Sequence, residues 1–599
     1  MQKPFSIIAP AGSIESLSAA IKAGADAVYF GFKGQNARGR AENFDRETIL
    51  KAVVYLKEKQ IKSYITLNTV ITNNELSLLE KKLKILSLYP PDAVIIQDFA
   101  VLELGKQILP EFVEFHASTQ MGICNLDGLK FAEKCGINQV VLARELNFKE
   151  LKHLSENTKL KLEVFVFGAM CYSASGFCYA SLKEQNRSGN RGVCAQICRH
   201  NFNGNYPFSM KDLNLIEEIP KLVKAGIKHF KIEGRMKGAD YVYTTVSALK
   251  EIQNDLSERG IEKAKEILRQ YPFLRETGKG YFYFPERKDI FTKKKHSVQV
   301  EIGKVKNAKG KKIEFFSLNK EVKKGARIKA NEKGATVLKV EKNTLTLSHP
   351  LKASKGDKVF LFPNKQSIKG ISGIVNEIMK KVVPIQIALK VKAEKTGIEA
   401  EIIFKNKKQT IEIKAEGIEA DKNPLTKETL LTKLKSPYFF ISEISINENN
   451  LIFKPSVFKE LKKKLKEFAE DIFMENLNPK TTLIEKYRDI EYQSPPKQCK
   501  TLPPVYYSPL KLNSKCIIAN NVGQLIFEGE KYTGKFLPIC NKIAKYFLKQ
   551  NFQVKGFLKP YELEPDKNTP YFVVRVKPEK LPKNFVCQKN GEYFVIEKL

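Results

Sequence analysis

Along the first 240 residues, short β-branched and aromatic runs alternate with amphipathic stretches. Runs at Ser6–Ala9, Ala27–Phe30, Ser63–Leu67, Ala93–Gln97, Glu114–Ala117, Gln139–Ala143, Lys161–Phe167 and His229–Glu233 predict strands. Between them, Ile14–Ala23, Glu75–Ser87, Asp127–Cys135 and Leu215–Ala225 carry the spacing of helices. This rhythm predicts an α/β fold, a closed parallel (β/α)8 TIM-like barrel. An open doubly wound sheet ranks second, because the first turn, Ala9-Pro10-Ala11-Gly12-Ser13, is no dinucleotide fingerprint.

A barrel collects its chemistry at the carboxyl ends of its strands. Those ends are polar here: Asn68, Gln97-Asp98, His116-Ala117-Ser118-Thr119-Gln120, Ala143-Arg144-Glu145 and Lys231-Ile232-Glu233-Gly234-Arg235. Any one of these reads equally as a helix cap or a loop ion pair. Together they point to a pocket for a polar or anionic ligand. The candidate catalytic residues are His116, Arg144, Glu145, Lys231, Glu233 and Arg235.

The rhythm breaks after the seventh strand. An insertion at about 168–212 holds Cys171, Cys178, Cys194 and Cys198, spaced Cys-x6-Cys, Cys-x15-Cys and Cys-x3-Cys. Zinc sites usually pair ligands across one tight turn, and only the last pair is that close. Four thiols on longer loops suit an iron–sulfur cube, with one Cys per iron; zinc and plain redox or structural thiols stay open. The other six Cys are scattered, and Cys516, Cys540 and Cys587 read as small buried apolar residues.

Downstream the pattern changes again. Asp240 to about Tyr271 reads as helices closing a first unit over 1–290. Short strands punctuated by glycine predict a small β-barrel over 291–370, and Ile385–Val391, Ile398–Phe404 and Thr410–Ala415 predict strands of an α+β domain over 371–485. Pro495-Pro496 and Pro503-Pro504 mark a linker over 486–510, followed by a small α/β module over 511–599. Charge separates these regions. Residues 1–250 hold 33 Lys and Arg against 25 Asp and Glu; the remainder holds 69 against 41. So large a surplus beyond the barrel predicts contact with a polyanion such as RNA. No run approaches the ~20 apolar residues of a membrane span, and Met1-Gln2-Lys3-Pro4 opens no signal peptide, so a cytoplasmic protein without membrane contact is expected.

The residues around the cysteines carry a family resemblance. Glu163-Val164-Phe165-Val166-Phe167-Gly168-Ala169-Met170-Cys171, continuing through Gly176-Phe177-Cys178 to Ser181, resembles the signature of the collagenase-like peptidase family U32. Gly24-Ala25-Asp26-Ala27-Val28-Tyr29, Asn190-Arg191-Gly192-Val193-Cys194-Ala195-Gln196-Ile197-Cys198-Arg199 and Lys231-Ile232-Glu233-Gly234-Arg235-Met236-Lys237 are similar to further blocks of it. The resemblance implies that Cys171, Cys178, Cys194 and Cys198 ligate a 4Fe–4S cluster. It also implies RNA hydroxylation supported by prephenate, as co-substrate or precursor. The unit at 371–485 is similar to the post-barrel domain of the subgroup that forms 5-hydroxycytidine in 23S ribosomal RNA, so ribosomal RNA is the favoured partner. Alternatives are hydroxylation of a tRNA wobble uridine, a collagenase-like peptidase, and a non-catalytic Fe–S RNA-binding protein. No His-Glu-x-x-His helix and no recognisable Ser/His/Asp set supports the peptidase.

Overall fold

The computed structural model describes residues 3–598 other than 40, 270, 272–274, 286–289, 293–299, 319–321, 323, 331–332, 363–367, 406, 421–423, 448–449, 509 and 511–513. The barrel strands are β1 (Ser6–Pro10), β2 (Ala27–Phe30), β3 (Lys62–Leu67), β4 (Ala93–Ile96), β5 (Glu114–Ala117), β6 (Gln139–Val141), β7 (Lys161–Gly168) and β9 (His229–Ile232). Each pairs in parallel with the next, and β9 pairs in parallel with both β7 and β1, which closes the barrel. A short β8 (Asp212–Asn214) lies antiparallel to the end of β7, outside the closed ring.

The strands are legible as apolar runs because both of their faces are buried. Outward residues meet the helices. Inward residues Ile8, Ala27, Tyr29, Tyr64, Ala93 and Ile95 pack a separate inner core, in which small alanines offset large tyrosines. Strand-to-helix turns end on capping side chains: Ser13, Asp45, Asp98, Asn125 and Asn147 each accept from a backbone N–H of the following helix. These caps fix where each loop ends and so shape the barrel mouth. Two helices, Ala239–Asn254 and Glu258–Arg269, follow β9, and the first packs against helix Ile14–Lys22.

Beyond them, six strands between Val300 and Phe362 form a closed barrel around its own core of Ile302, Ile313, Phe315, Ile328, Val337, Leu345 and Val359. A four-stranded sheet follows, with spatial order Lys407–Lys414, Gly397–Phe404, Ile385–Glu394, Phe439–Ile446 and helix Pro455–Asn476 packed on it.

The stretch 486–510 is not the free linker its prolines predict. Leu502, Val505 and Tyr506 are buried, and Lys500–Thr501 pairs in parallel with Cys516–Ala519. Proline lacks an N–H but keeps its carbonyl: Pro503 accepts from Gln524 at 2.7 Å and Pro504 from Asn521 at 3.0 Å. Tyr506 accepts from Asn125 of the large barrel at 2.7 Å. Cys516 is buried as expected, but it is disulfide-bonded to Cys499 rather than a free apolar filler.

The C-terminal region combines a parallel sheet with a three-stranded antiparallel sheet, and it docks on the large barrel through aromatic rings. Phe547 stacks on Phe99 with centroids 5.4 Å apart, and Phe552 stacks on Phe131 at 4.8 Å. Phe547→Ala is therefore expected to cost about 3–5 kcal/mol. Urea denaturation measures that loss, and limited proteolysis is expected to show earlier cleavage within 480–598.

Candidate active site

The carboxyl ends of the barrel strands surround a cavity of about 120 Å³. Tyr29, Thr66, Arg144, Lys231, Glu233 and Arg235 reach it from strands or strand ends, Arg38 from the loop after β2, and Cys171, Cys178 and Cys194 from the insertion. At its centre is the Glu233 carboxylate. Arg38 donates to it at 3.3 and 3.0 Å, and Arg144 donates at 2.8 Å. Burial works to raise the Glu233 pKa, but the two guanidiniums overcome it and hold the carboxyl down at about 2. Glu233 in turn raises the pKa of Arg38.

Arg144 does more than pair. Its guanidinium lies 3.9 Å from the Phe165 ring centroid and donates to the Ala169 carbonyl at 3.0 Å, fixing the first residues of the insertion. Lys231 lies 2.6 Å from buried Glu163 and 4.2 Å from the centroid of Tyr29. Glu163 also accepts from Gln139.

Arg235 is held differently. It donates to Thr66 at 3.1 Å and to Asn43, while its buried Nε has no hydrogen-bond partner. Among the described residues no carboxylate lies within ion-pairing distance of it. Burial lowers its pKa to about 10, so it stays cationic at neutral pH. Four cations, Arg38, Arg144, Lys231 and Arg235, thus face two carboxylates, Glu233 and Glu163. The excess positive charge equips the cavity to hold an anion.

The four insertion thiols gather beside this charge. Burial pushes the Cys178 thiol well up, and Cys171, Cys194 and Cys198 add to the shift as neighbouring negative charges. Cys198 lies behind the cavity wall, raised to about 12 by burial against the opposing pull of Arg199. The backbone N–H of Gln196 points at the Cys194 sulfur at 3.3 Å. Among the described residues no three His, Cys, Asp or Glu side chains converge to hold a single metal ion. Cys171, Cys178 and Cys194 nevertheless line one cavity, and soft thiols are the donor type that an iron–sulfur cluster takes.

The insertion is tied from two sides. From the barrel, Glu145 accepts from the Ser175 N–H at 3.1 Å and its hydroxyl at 2.9 Å. From the C-terminal region, Glu562 accepts from Ser188 at 2.6 Å and from Asn190, and Val573 exchanges hydrogen bonds with Ser173 and Ala174. Gly176, between two of the cysteines, has φ +88°, and a Cβ there would stand 2.4 Å from the Gln120 carbonyl oxygen.

Of the six candidate catalytic residues, Arg144, Lys231, Glu233 and Arg235 line the cavity. Glu145 does not: in the turn that follows β6 it points to Ser175 while Arg144 enters the cavity. His116 is buried within the barrel beneath the mouth, 2.9 Å from Glu114 and edge-on to Tyr64; burial lowers its pKa despite Glu114. Glu233, held down by its two guanidiniums, is ionised at neutral pH and anchors them. Arg38, Asn43, Asn190 and Glu562 were absent from the candidates. Arg38 left a signal in the polar Asn36-Ala37-Arg38-Gly39 stretch after the second strand, and Asn190 in the block that runs on to Arg199.

The model of peptidase family U32 matches residues 12–290. A collagenase of Porphyromonas gingivalis is 35% identical over 406 residues, covering 61% of this chain and 96% of its own. The chain belongs to peptidase family U32. Two other relatives carry RNA-modification names. The tRNA hydroxylation protein P1 of Bacillus subtilis is 37% identical over 263 residues, 41% of this chain and 62% of that one. A 23S rRNA 5-hydroxycytidine synthase of Escherichia coli is 34% identical over 288 residues, 46% of this chain and 43% of that one. Family membership thus spans names of two chemistries. No helix among the described residues is long and apolar enough to cross a membrane.

Glu233→Gln leaves the guanidiniums of half-buried Arg38 and Arg144 uncompensated, and a stability loss below the ~3–5 kcal/mol of a fully buried pair is expected because solvent reaches Arg38. The pH dependence has a definite sign. A carboxyl whose folded pKa is depressed stabilises fully above its unfolded value of ~4.3, and that stability is lost as pH falls towards about 2. Urea titrations of wild type and variant should therefore converge by roughly 1.4 kcal/mol per pH unit below ~4.3.

Proposed function

We propose that this chain is an RNA-modifying hydroxylase that converts a cytidine of 23S ribosomal RNA to 5-hydroxycytidine, using a 4Fe–4S cluster and prephenate-dependent chemistry. The observation that carries this reading is the cavity itself, where excess positive charge and three thiols share one small space at the barrel mouth. Its volume of about 120 Å³ suits a small anion better than a length of polynucleotide.

Cys171, Cys178, Cys194 and Cys198 would hold the cluster, which supplies electron transfer when bound. Arg235 offers a planar fork with one unpartnered N–H, suited to one carboxylate of a small dianion such as prephenate. Lys231 stands on the same wall as a second cationic contact. Arg38 and Arg144 are already engaged by Glu233, so they set the potential of the cavity and its shape more than they bind. The relatives named for RNA hydroxylation, 37% and 34% identical over 263 and 288 residues, support this reading. The α+β unit after the barrel, similar to that of the ribosomal-RNA subgroup, favours ribosomal RNA over tRNA.

The peptidase reading has the collagenase relative in its favour. Against it, among the described residues no histidine lines the cavity to give a thiol there the imidazole base of a Cys protease.

Mass spectrometry of ribosomal and transfer RNA from a deletion strain tests the assignment. Loss of 5-hydroxycytidine from 23S RNA is expected; loss only of tRNA wobble-uridine hydroxylation would move the substrate, and unchanged RNA with gelatin cleavage by the purified protein would replace the reading. Anaerobically purified protein is expected to hold about four irons per chain and absorb broadly near ~400 nm. Arg235→Lys keeps the charge but removes the fork. It is expected to cut hydroxylation at least tenfold in complemented cells with iron content unchanged.

A further inference from the structure

The small β-barrel at Val300–Phe362 has a core that shares no residue with that of the rest of the chain. It is also the most basic part of the molecule, with 16 Lys and Arg against 6 Asp and Glu over 300–362. The distribution of that charge is informative. On the neighbouring four-stranded sheet the lysines are matched: Lys390 and Lys408 pair with Glu401, and Lys392 pairs with Glu394. Such a face is a solvated ion-pair lattice. On the hairpin joining strands Val300–Lys309 and Lys312–Leu318, Lys306 and Glu314 pair at 2.8 Å, but the tip is unmatched.

At that hairpin Lys309 lies directly opposite Lys312, joined by a turn through Gly310, whose φ is +56°. Lys311 stands at the tip, and all three lysines are exposed. Among the described residues none of the three has a carboxylate within ion-pairing distance, and Glu341, on the nearby strand, is held by Lys339 at 2.5 Å. The register continues the row across the barrel: Lys312 opposes Thr346, and Thr346 opposes Lys339. Like charges placed opposite each other on adjacent strands repel, so this arrangement costs the free protein stability that a bound anion returns. Four residues along from Lys312, on the same outward face of its strand, Phe316 is 54% exposed. Leu338, 46% exposed, stands on the strand that carries Lys339.

We propose that this face of the small β-barrel is where RNA docks, with phosphates on Lys309, Lys311 and Lys312 and an unpaired base stacked on Phe316. A charged track beside an exposed ring on a rigid pleated surface is the combination that binds single-stranded segments without sequence readout. It contrasts with the amphipathic helix that favours a lipid surface. The inference rests on the RNA-hydroxylase reading and assigns the binding step to a part of the chain remote from the thiols in sequence.

The test uses the full-length protein and a fluorescein-labelled 20-nucleotide oligouridylate, titrated from 50 to 300 mM salt. The triple variant Lys309→Gln/Lys311→Gln/Lys312→Gln is expected to bind at least tenfold more weakly at 50 mM salt. The slope of log affinity against log salt should fall by about two, as three lost contacts at ~0.7 each require. The triple Lys→Arg variant should restore both. Phe316→Ala should weaken binding about tenfold at unchanged slope. These substitutions are on the surface, and an unchanged circular dichroism spectrum and melting point confirm the fold. Affinity and slope unchanged in the Gln variant overturn the proposal. So does a loss confined to binding of vesicles containing phosphatidylserine. Complementation separates the two readings. Normal RNA hydroxylation by a Gln variant with unimpaired RNA binding rejects the docking face and leaves the hydroxylase standing. Hairpin-dependent RNA binding in a protein whose deletion changes no RNA modification rejects the hydroxylase and leaves the docking face standing.

Discussion

Everything at the barrel mouth depends on one carboxylate held between two guanidiniums. Glu233 joins the end of β9 to the loop after β2 through Arg38 and to the end of β6 through Arg144. Without it, four cations around a cavity of about 120 Å³ would repel one another and open the mouth. With it, Arg144 is free to hold the Ala169 carbonyl, and the cysteine-bearing insertion begins from a fixed point. The same contact leaves Arg235 as the cation with least to do. Its hydrogen bonds to Thr66 and Asn43 orient the guanidinium without neutralising it. Charge compensation on one side of the cavity and its absence on the other give the site its direction.

The architecture was legible because parallel barrel strands are buried on both faces and so stand out as unbroken apolar runs. The reading of Ala27–Phe30 and Glu114–Ala117 matches the strands to the residue, and Lys161–Gly168 differs by one. The polar strand ends were equally visible, since the barrel rule points to them. Which of two adjacent polar residues enters the cavity was not. Arg144 faces in and Glu145 faces out, a distinction set by how the chain leaves the strand. His116 shows the same limit: it is next to last in its strand, yet its ring points down to Glu114.

Long-range partners were the other blind spot. Nothing local to Glu562 marks it as the acceptor for Ser188 and Asn190, which precede it by 374 and 372 residues. The prolines at 495–504 misled for a related reason. Their missing N–H groups suggest a tether, whereas their carbonyls are what the fold uses. Three of the four insertion thiols, Cys171, Cys178 and Cys194, line the cavity that the polar strand ends surround. Roles that need a partner from another part of the chain required the structure.

The bond between Ser173 and Val573 spans 400 residues. A ribosome adds roughly 5–20 residues each second, so roughly 20–80 s separate the emergence of the first cysteine loop from that of the strand that fastens it. The last barrel strand, its closing helices and both following domains leave the exit tunnel within that interval. During it the thiols stand on a loop held by the barrel alone, through Glu145, Arg144, the Gly39–Gly192 backbone bond and the Arg191–Glu75 pair. The last tenth of the chain then works as a door that shuts on the thiol-bearing loop, and the linear order of the gene sets how long that door stays open.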